Sequence, residues 1–337
     1  MMKSHKNLNI GISFDTPDEY PEVHGPDDRF AEFEPESTIL AMEDAIRWVG
    51  ATPKRIGGPR NLLKSRPDVD VMWNISEGYG TRNRESWVPV LCELYGIPCL
   101  GSDALTMSIS LDKSESKHMA RRIGIQTPDW VVAKFGGHTN HEGYLADLTE
   151  RMRIAGVRFP VFIKPRYEGP GKGIRASSLI KNDSELLLEL TRQFDLYQQD
   201  VIIESFLPGA EFTLAVTGTP LIAQSVLERG IDSITGIGYH LVDSGQSFRL
   251  FHNLTPGLES KLQQWSLDLS REMNILDFAR FDFKLDEFGN PCFLEVNPLP
   301  TFAIDNHFAI LAELSGKSYA EYLGNILLEG LNRILSK

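Results

Sequence analysis

Arg280, Asp282, Glu295 and Asn297 set two carboxylates, an amide and a guanidinium at alternate positions of two apolar runs, a group able to hold a hard divalent cation. Ala279, Phe281, Phe283 and Leu285 alternate with Arg280, Asp282 and Lys284, the period-2 pattern of a strand with one buried face. Glu287 to Pro291 supply turn chemistry and Cys292 to Asn297 alternate again, so two antiparallel strands joined by a short loop are expected. With the turn centred on Phe288 and Gly289, Asp282 faces Glu295, Arg280 faces Asn297, and the four side chains share one face. Such oxygen ligands suit Mg²⁺ (or Mn²⁺), which keeps waters and shares its shell with phosphates. Opposed acids repel unless a cation or Arg280 compensates them. A lone Asp and Glu pair is more simply a solvated sheet face; Asn297 stands directly before prolines that lock the chain, which favours a ligand site.

Phe281-Asp282-Phe283 followed by Leu294-Glu295-Val296-Asn297-Pro298 resembles the metal-binding hairpin of the ATP-grasp ligases, in particular the D-alanine–D-alanine ligase-like branch. The resemblance implies an α/β (α+β) fold of three domains. These are an N-terminal parallel α/β domain over residues 1–105, a central lid domain over 106–206 and a C-terminal catalytic domain over 207–337 that carries the metal site. ATP would lie between the last two, with Leu294 among its contacts.

The rest of the chain fits that architecture. Its 337 residues suffice for two or three domains. A net charge of −12 with no Lys/Arg-rich run excludes a nucleic-acid partner. No apolar run reaches the ~18 residues of a membrane span, and Met1 to Asn9 is polar, so a cytoplasmic protein is expected. Cys92, Cys99 and Cys292 have no ligand spacing and are expected to be reduced. A buried strand over Asn7–Phe14 leads into a long acidic, proline-spaced loop over 17–35, and then a helix from Thr38 to Val49. A strand over Val69–Ile75, a helix over Trp87–Tyr95 and a strand over Pro98–Leu100 continue a parallel α/β rhythm.

Leu111-Asp112-Lys113 with Lys117, then Gly124 and Thr127-Pro128, resembles the entry to the central domain of these ligases, and implies that Lys113 reaches the nucleotide phosphates. On its own, a basic pair four residues apart is a solvated helix face. Lys164 ends the strand Phe159–Ile163, and the glycine-rich stretch with Gly169, Gly171 and Gly173, together with the earlier Gly156, can offer backbone N–H groups to phosphate. By resemblance it is the loop that covers ATP, with Gly171, Lys172 and Gly173 as contacts. The family has two serines where this chain has Pro170 and Gly171. Glu204 with Ser205, Phe206 and Leu207 would recognise adenine, and Glu211, whose carboxylate can accept two donors, would take the ribose hydroxyls.

The likeness loosens at the substrate elements. No lysine lies between Lys181 and Lys261, SEGYGTRNRES replaces the family's glycine-rich acidic segment, and Thr301 and Asn306 stand where the family has Gly and Ser. Glu36, Glu85, Tyr239, His240 and Asn306 are the candidate substrate contacts. The expected chemistry is ATP-dependent joining of a carboxylate to an amine through an acyl phosphate, with Arg280 stabilising the tetrahedral oxyanion. The substrates would be amino-acid-like, and related ligases are commonly dimers. D-Alanine–D-alanine ligase with altered loops, a nucleotide-binding module without turnover, and a phosphotransferase are the other readings.

Overall fold

The computed structural model describes residues 8–22, 25–136, 141–169, 171–231, 236–238, 250–251 and 254–336. Three sheets organise them. The first is parallel, in the order β2 (Thr52–Arg55), β1 (Asn9–Ser13), β3 (Val71–Asn74), β4 (Cys99–Leu100). β1 and β3 are apolar on both faces because helices cover both. On one side α2 (Pro59–Leu62) and α3 (Trp87–Tyr95) pack Leu62, Val88 and Cys92 against Met72. Gly96, at φ 64°, ends α3 in the left-handed conformation that a residue without Cβ tolerates.

The opposite face is covered by α1 (Glu36–Trp48) and by the far end of the chain. α9 (His307–Leu314) and α10 (Tyr319–Leu335) bring Phe308, Leu323, Ile326, Leu327 and Leu331 into one core with Ile10, Ile12, Ile39, Met42 and Trp73. Gly324 permits this approach: a Cβ there would lie 2.4 Å from the Trp48 ring.

α4 (Ala104–Leu111) and α5 (Lys113–Arg122) follow, separated by Asp112. The Asp112 side chain accepts from the Ser114 and Glu115 amides, capping α5, and pairs with Arg166 at 2.7 Å. α5 contributes Ala120 to the core of the third sheet. The second sheet is antiparallel, β5 (Trp130–Ala133), β8 (Val201–Ser205), β6 (Val161–Pro165), β7 (Leu179–Ile180), and is backed by α6 (His141–Ala155) and α7 (Asp183–Tyr197). Gly156 ends α6 at φ 78° and takes no part in the glycine-rich stretch.

The third sheet runs β12 (Leu250–Phe251), β11 (Leu227–Arg229), β9 (Glu211–Thr217), β13 (Phe278–Leu285), β14 (Pro291–Asn297), with β10 (Ile222–Ala223) on β9. Phe212, Leu214, Phe281 and Phe283 pack onto α8 (Pro256–Glu272) through Leu262 and Leu269. The alternate residues therefore face the second sheet. Arg280 pairs with Asn297 and Asp282 with Glu295, in the expected register. Beyond Asp282 the register shifts, so that Phe283 faces Phe293 and Leu294 is the extra residue of a bulge. A bulge of this kind re-aims the side chains around it and bends the strand.

Candidate active site

β13 sends Arg280, Asp282 and Lys284 to the face away from Phe281 and Phe283, and all three are buried. The Asp282 carboxylate accepts from Arg280 Nη2 at 3.0 Å and from Arg229 Nη2 on β11 at 3.3 Å. Burial alone would raise the Asp282 pKa, but the two guanidinium groups outweigh it and hold the carboxyl well below the usual range. Glu295, directly opposite, is also held low against burial, by Lys164 at 3.6 Å and Lys113 at 3.8 Å. These cations compensate the repulsion that the sequence pattern implied.

A second charge cluster bridges α5 and the second sheet. The Glu204 carboxylate receives Lys117 on one oxygen and Lys164 on the other, each at 3.0 Å. Burial raises the Glu204 pKa, and the two ammonium groups overcome this and bring it down to about 2. Lys117 is completely buried and its pKa falls, chiefly through burial. Lys164 keeps its proton more firmly, because Glu204 and Glu295 together outweigh burial. Lys117 also donates to the Leu294 carbonyl at 2.9 Å, so the bulge in β14 supplies its second partner. Lys284, depressed by burial, stands 3.3 Å from Glu211.

These groups surround a cleft of about 640 Å³ including its mouth. Lys164, Gly171, Glu204, Ser205, Phe206, Leu207, Glu211 and Leu294, all expected to contact nucleotide, line it, and so do Asp282 and Glu295. Phe162, Phe206, Leu207 and Ile237 supply apolar lining, and Lys164, Glu204, Glu211, Asp282, Lys284 and Glu295 supply charged lining. A smaller cavity adjoins it, lined by Glu77, Glu85, Lys113, Glu168 and Asn297, and Glu295 is common to both.

The remaining expected residues are placed differently. Lys172 and Gly173 do not line the cleft: Lys172 pairs with Glu32 and Glu168, and the Gly173 amide donates to Asp28. Glu36 lies at the exposed start of α1, paired with Arg55 at 2.8 Å, because its side chain leaves the helix on the solvent side. Asn306 accepts from the His307 amide as the cap of α9 and lines neither cavity. Tyr239 and His240 fall outside the described residues. Lys117, Arg229 and Lys284 escaped the sequence reading as site residues. Lys117 carried a signal in its spacing from Lys113, and Lys284 in its alternation with Asp282.

The donor set fits Mg²⁺. Asp282 and Glu295 are opposed, and the Asn297 amide oxygen accepts one bond, from Leu299 N at 2.9 Å, which leaves a lone pair. Among the described residues no group of three or more His, Cys, Asp or Glu side chains gathers as a metal cage. Two carboxylates and an amide therefore suit an ion that completes its shell with phosphate oxygens and water.

A family model described as D-ala D-ala ligase C-terminus matches residues 119–328, more than half of the chain. The chain belongs to this family. Its relatives include an uncharacterized protein of Sinorhizobium fredii, 25% identical over 263 residues, with 76% of this chain and 73% of that protein covered. D-alanine–D-alanine ligase of Aquifex aeolicus is 26% identical over 271 residues, covering 80% and 84% respectively. D-alanine–D-alanine ligase from Bacillus anthracis, solved in complex with ATP, superposes with a TM-score of 0.73 at 21% identity, over 98% of this chain and 99% of that one. The fold is that of the ATP-grasp D-Ala-D-Ala ligases.

Proposed function

We propose that this member of the D-Ala-D-Ala ligase family is an ATP-dependent carboxylate–amine ligase. The γ-phosphoryl group of ATP passes to a substrate carboxylate, an amine displaces phosphate from the acyl phosphate, and ADP and phosphate leave. One observation carries the reading: Glu295 lines both a cleft walled by apolar and charged residues together and a second, acid-lined cavity. Adenine would lie against Phe206 and Leu207, and the reacting phosphate would meet the substrate at Glu295. ATP thus lies between the central segment, 106–206, and the C-terminal segment, 207–337.

Asp282, Glu295 and Asn297 would hold Mg²⁺ (or Mn²⁺), which when bound neutralises charge on the phosphoryl oxygens. Lys113, Lys117 and Lys164 add fixed positive charge at the phosphate end, while Ser205 to Leu207 face the base and Glu211 the ribose. Arg280, already 3.0 Å from Asp282, is held on the reacting face, where it stabilises the oxyanion of the tetrahedral intermediate. No protein nucleophile is required; positioning and electrostatics do the chemistry.

The substrates are small amino-acid-like molecules, and the product differs from D-Ala–D-Ala. Supporting this, Pro170 and Gly171 replace two serines, and Thr301 stands where the family has Gly. A cytoplasmic enzyme is the corresponding setting; among the described residues no helix is long and apolar enough to cross a membrane. The test is Mg²⁺-dependent release of ADP and phosphate with D- and L-amino acids, singly and in pairs, with product mass measured in the same samples. A product lighter by one water than its two components is expected. ATP turnover that yields a phosphorylated product and no such condensate refutes the ligase reading, and release with D-alanine alone refutes the altered specificity.

A further inference from the structure

The glycine-rich stretch between β6 and β7 is expected to give its N–H groups to phosphate, yet two of them are occupied by side chains from the other end of the molecule. The Gly169 amide donates to Glu32 at 2.7 Å and the Gly173 amide to Asp28 at 3.0 Å. Lys172, between them, donates to Glu32 at 3.0 Å and pairs with Glu168 at 2.7 Å. Arg84 closes on the same Glu32 carboxylate at 2.6 Å, and Tyr197 bonds Asp28 at 2.7 Å. Glu32 and Asp28 belong to the long acidic loop between β1 and α1. That loop is itself held in shape by the contiguous rings of Tyr20, Phe30, Phe33 and Tyr79.

The charges show which way the contact works. Arg84 and Lys172 are the two cations, and Glu32, Glu77, Glu85 and Glu168 the four carboxylates within 4 Å of one or both of them. Glu32 and Glu168 each pair with both cations, so Lys172 is already engaged by carboxylates and is not held free for the nucleotide. The other edge of the stretch does meet the cleft, since Gly171 and Ile174 line it. Gly169 must be glycine for this arrangement, because a Cβ would sit 2.3 Å from the Glu32 carboxylate.

We infer that Asp28 and Glu32 are positioning residues: they fasten the glycine-rich stretch down over the nucleotide cleft from outside, so that closure of the site is governed by the N-terminal acidic loop. The inference rests on the proposed function only for what the stretch covers. Two carboxylates grip it on either side of Gly171, and Lys172 with Arg84 neutralises the buried one. In the fastened state the acyl phosphate is shielded from water; released, the same stretch admits water and ATP is hydrolysed without bond formation.

The experiment is amide hydrogen exchange on the nucleotide-free full chain, comparing wild type with Glu32→Gln and with the milder Asp28→Asn. KM for ATP, kcat and phosphate released per bond formed follow on the same proteins. Exchange at Gly169 and Gly173 should rise tenfold or more in the variants while the strands on either side keep their protection. KM for ATP and uncoupled phosphate release should rise with less change in kcat. Unchanged exchange at both glycines overturns the inference, and so does faster exchange with KM and coupling unchanged. If wild type bound no ATP, the functional reading would fail, while the exchange data would still decide whether Asp28 and Glu32 hold the stretch.

Discussion

Glu204→Gln separates two roles for one carboxylate. The family resemblance assigns Glu204 to adenine, whereas its geometry makes it the counter-charge of Lys117 and Lys164, each 3.0 Å away. At that distance each contact is worth about 5 kcal/mol at an effective dielectric near 20, much of it offset by the desolvation of buried ions. Removing one partner of a buried pair costs about 3 to 5 kcal/mol. Gln keeps the shape and one acceptor oxygen, so the low end, about 3 kcal/mol, is expected. Lys117 is then left with only the Leu294 carbonyl at 2.9 Å, while Lys164 retains Glu295 at 3.6 Å. The assay is thermal unfolding with and without pyrophosphate, which brings phosphate charge but no base or sugar. The variant should melt roughly 4 °C lower, and pyrophosphate should restore a larger share of stability to it than it adds to wild type. An unchanged midpoint refutes this reasoning. So does a loss that ATP repairs and pyrophosphate does not, accompanied by a weaker preference for ATP over GTP; that result would return Glu204 to the base.

Glu295→Gln should abolish turnover while the unfolding midpoint moves little, because its lysine neighbours lie at 3.6 and 3.8 Å and lose no short contact; full activity would remove Glu295 from the metal site. Glu211→Gln should weaken ATP binding by about 1.5 to 3 kcal/mol for a lost charge-assisted hydrogen bond, read by titration calorimetry; equal affinity would reject the ribose assignment. His307 is buried, neither ring nitrogen has a hydrogen-bond partner, and burial with Arg280 and Arg229 nearby lowers its pKa to about 3. The unfolded chain protonates this histidine near pH 6.5 and the folded one only near 3, so stability is lost as pH falls through that window, by up to about 1.4 kcal/mol per unit. His307→Leu should flatten the denaturant midpoint between pH 6.5 and 3, and an unchanged slope would reject the assignment.

Much of the site was legible because it is local. Alternation on both strands and Gly289 in the turn set the pairing of Arg280 with Asn297 and of Asp282 with Glu295. The bulge was not legible, since an inserted Leu294 still leaves an apolar and polar succession; adjacent Phe293 and Leu294 were its only trace. The helices over 36–48 and 87–95 followed from their apolar stripes and, for the second, its terminal glycine. Contacts across long separations left no local mark. Lys172 meets Glu32 140 positions away, and Lys117 meets Leu294 across 177. A lysine beside glycines looks the same in sequence whether it faces a phosphate or a carboxylate. Asn306 was misplaced for the opposite reason, because a residue that can bind a ligand also caps a helix well.

The return of α10 to the first sheet bears on how the protein is made. Strands β1 to β4 leave the ribosome early, yet the face they share with α1 stays uncovered until Leu323, Ile326, Leu327 and Leu331 have been synthesised. At about 5 to 20 residues per second that interval is roughly 10 to 50 s. During it the nascent chain presents Ile10, Ile12, Val71 and Trp73 to the cytosol with only α1 over them, the condition under which a holding chaperone binds.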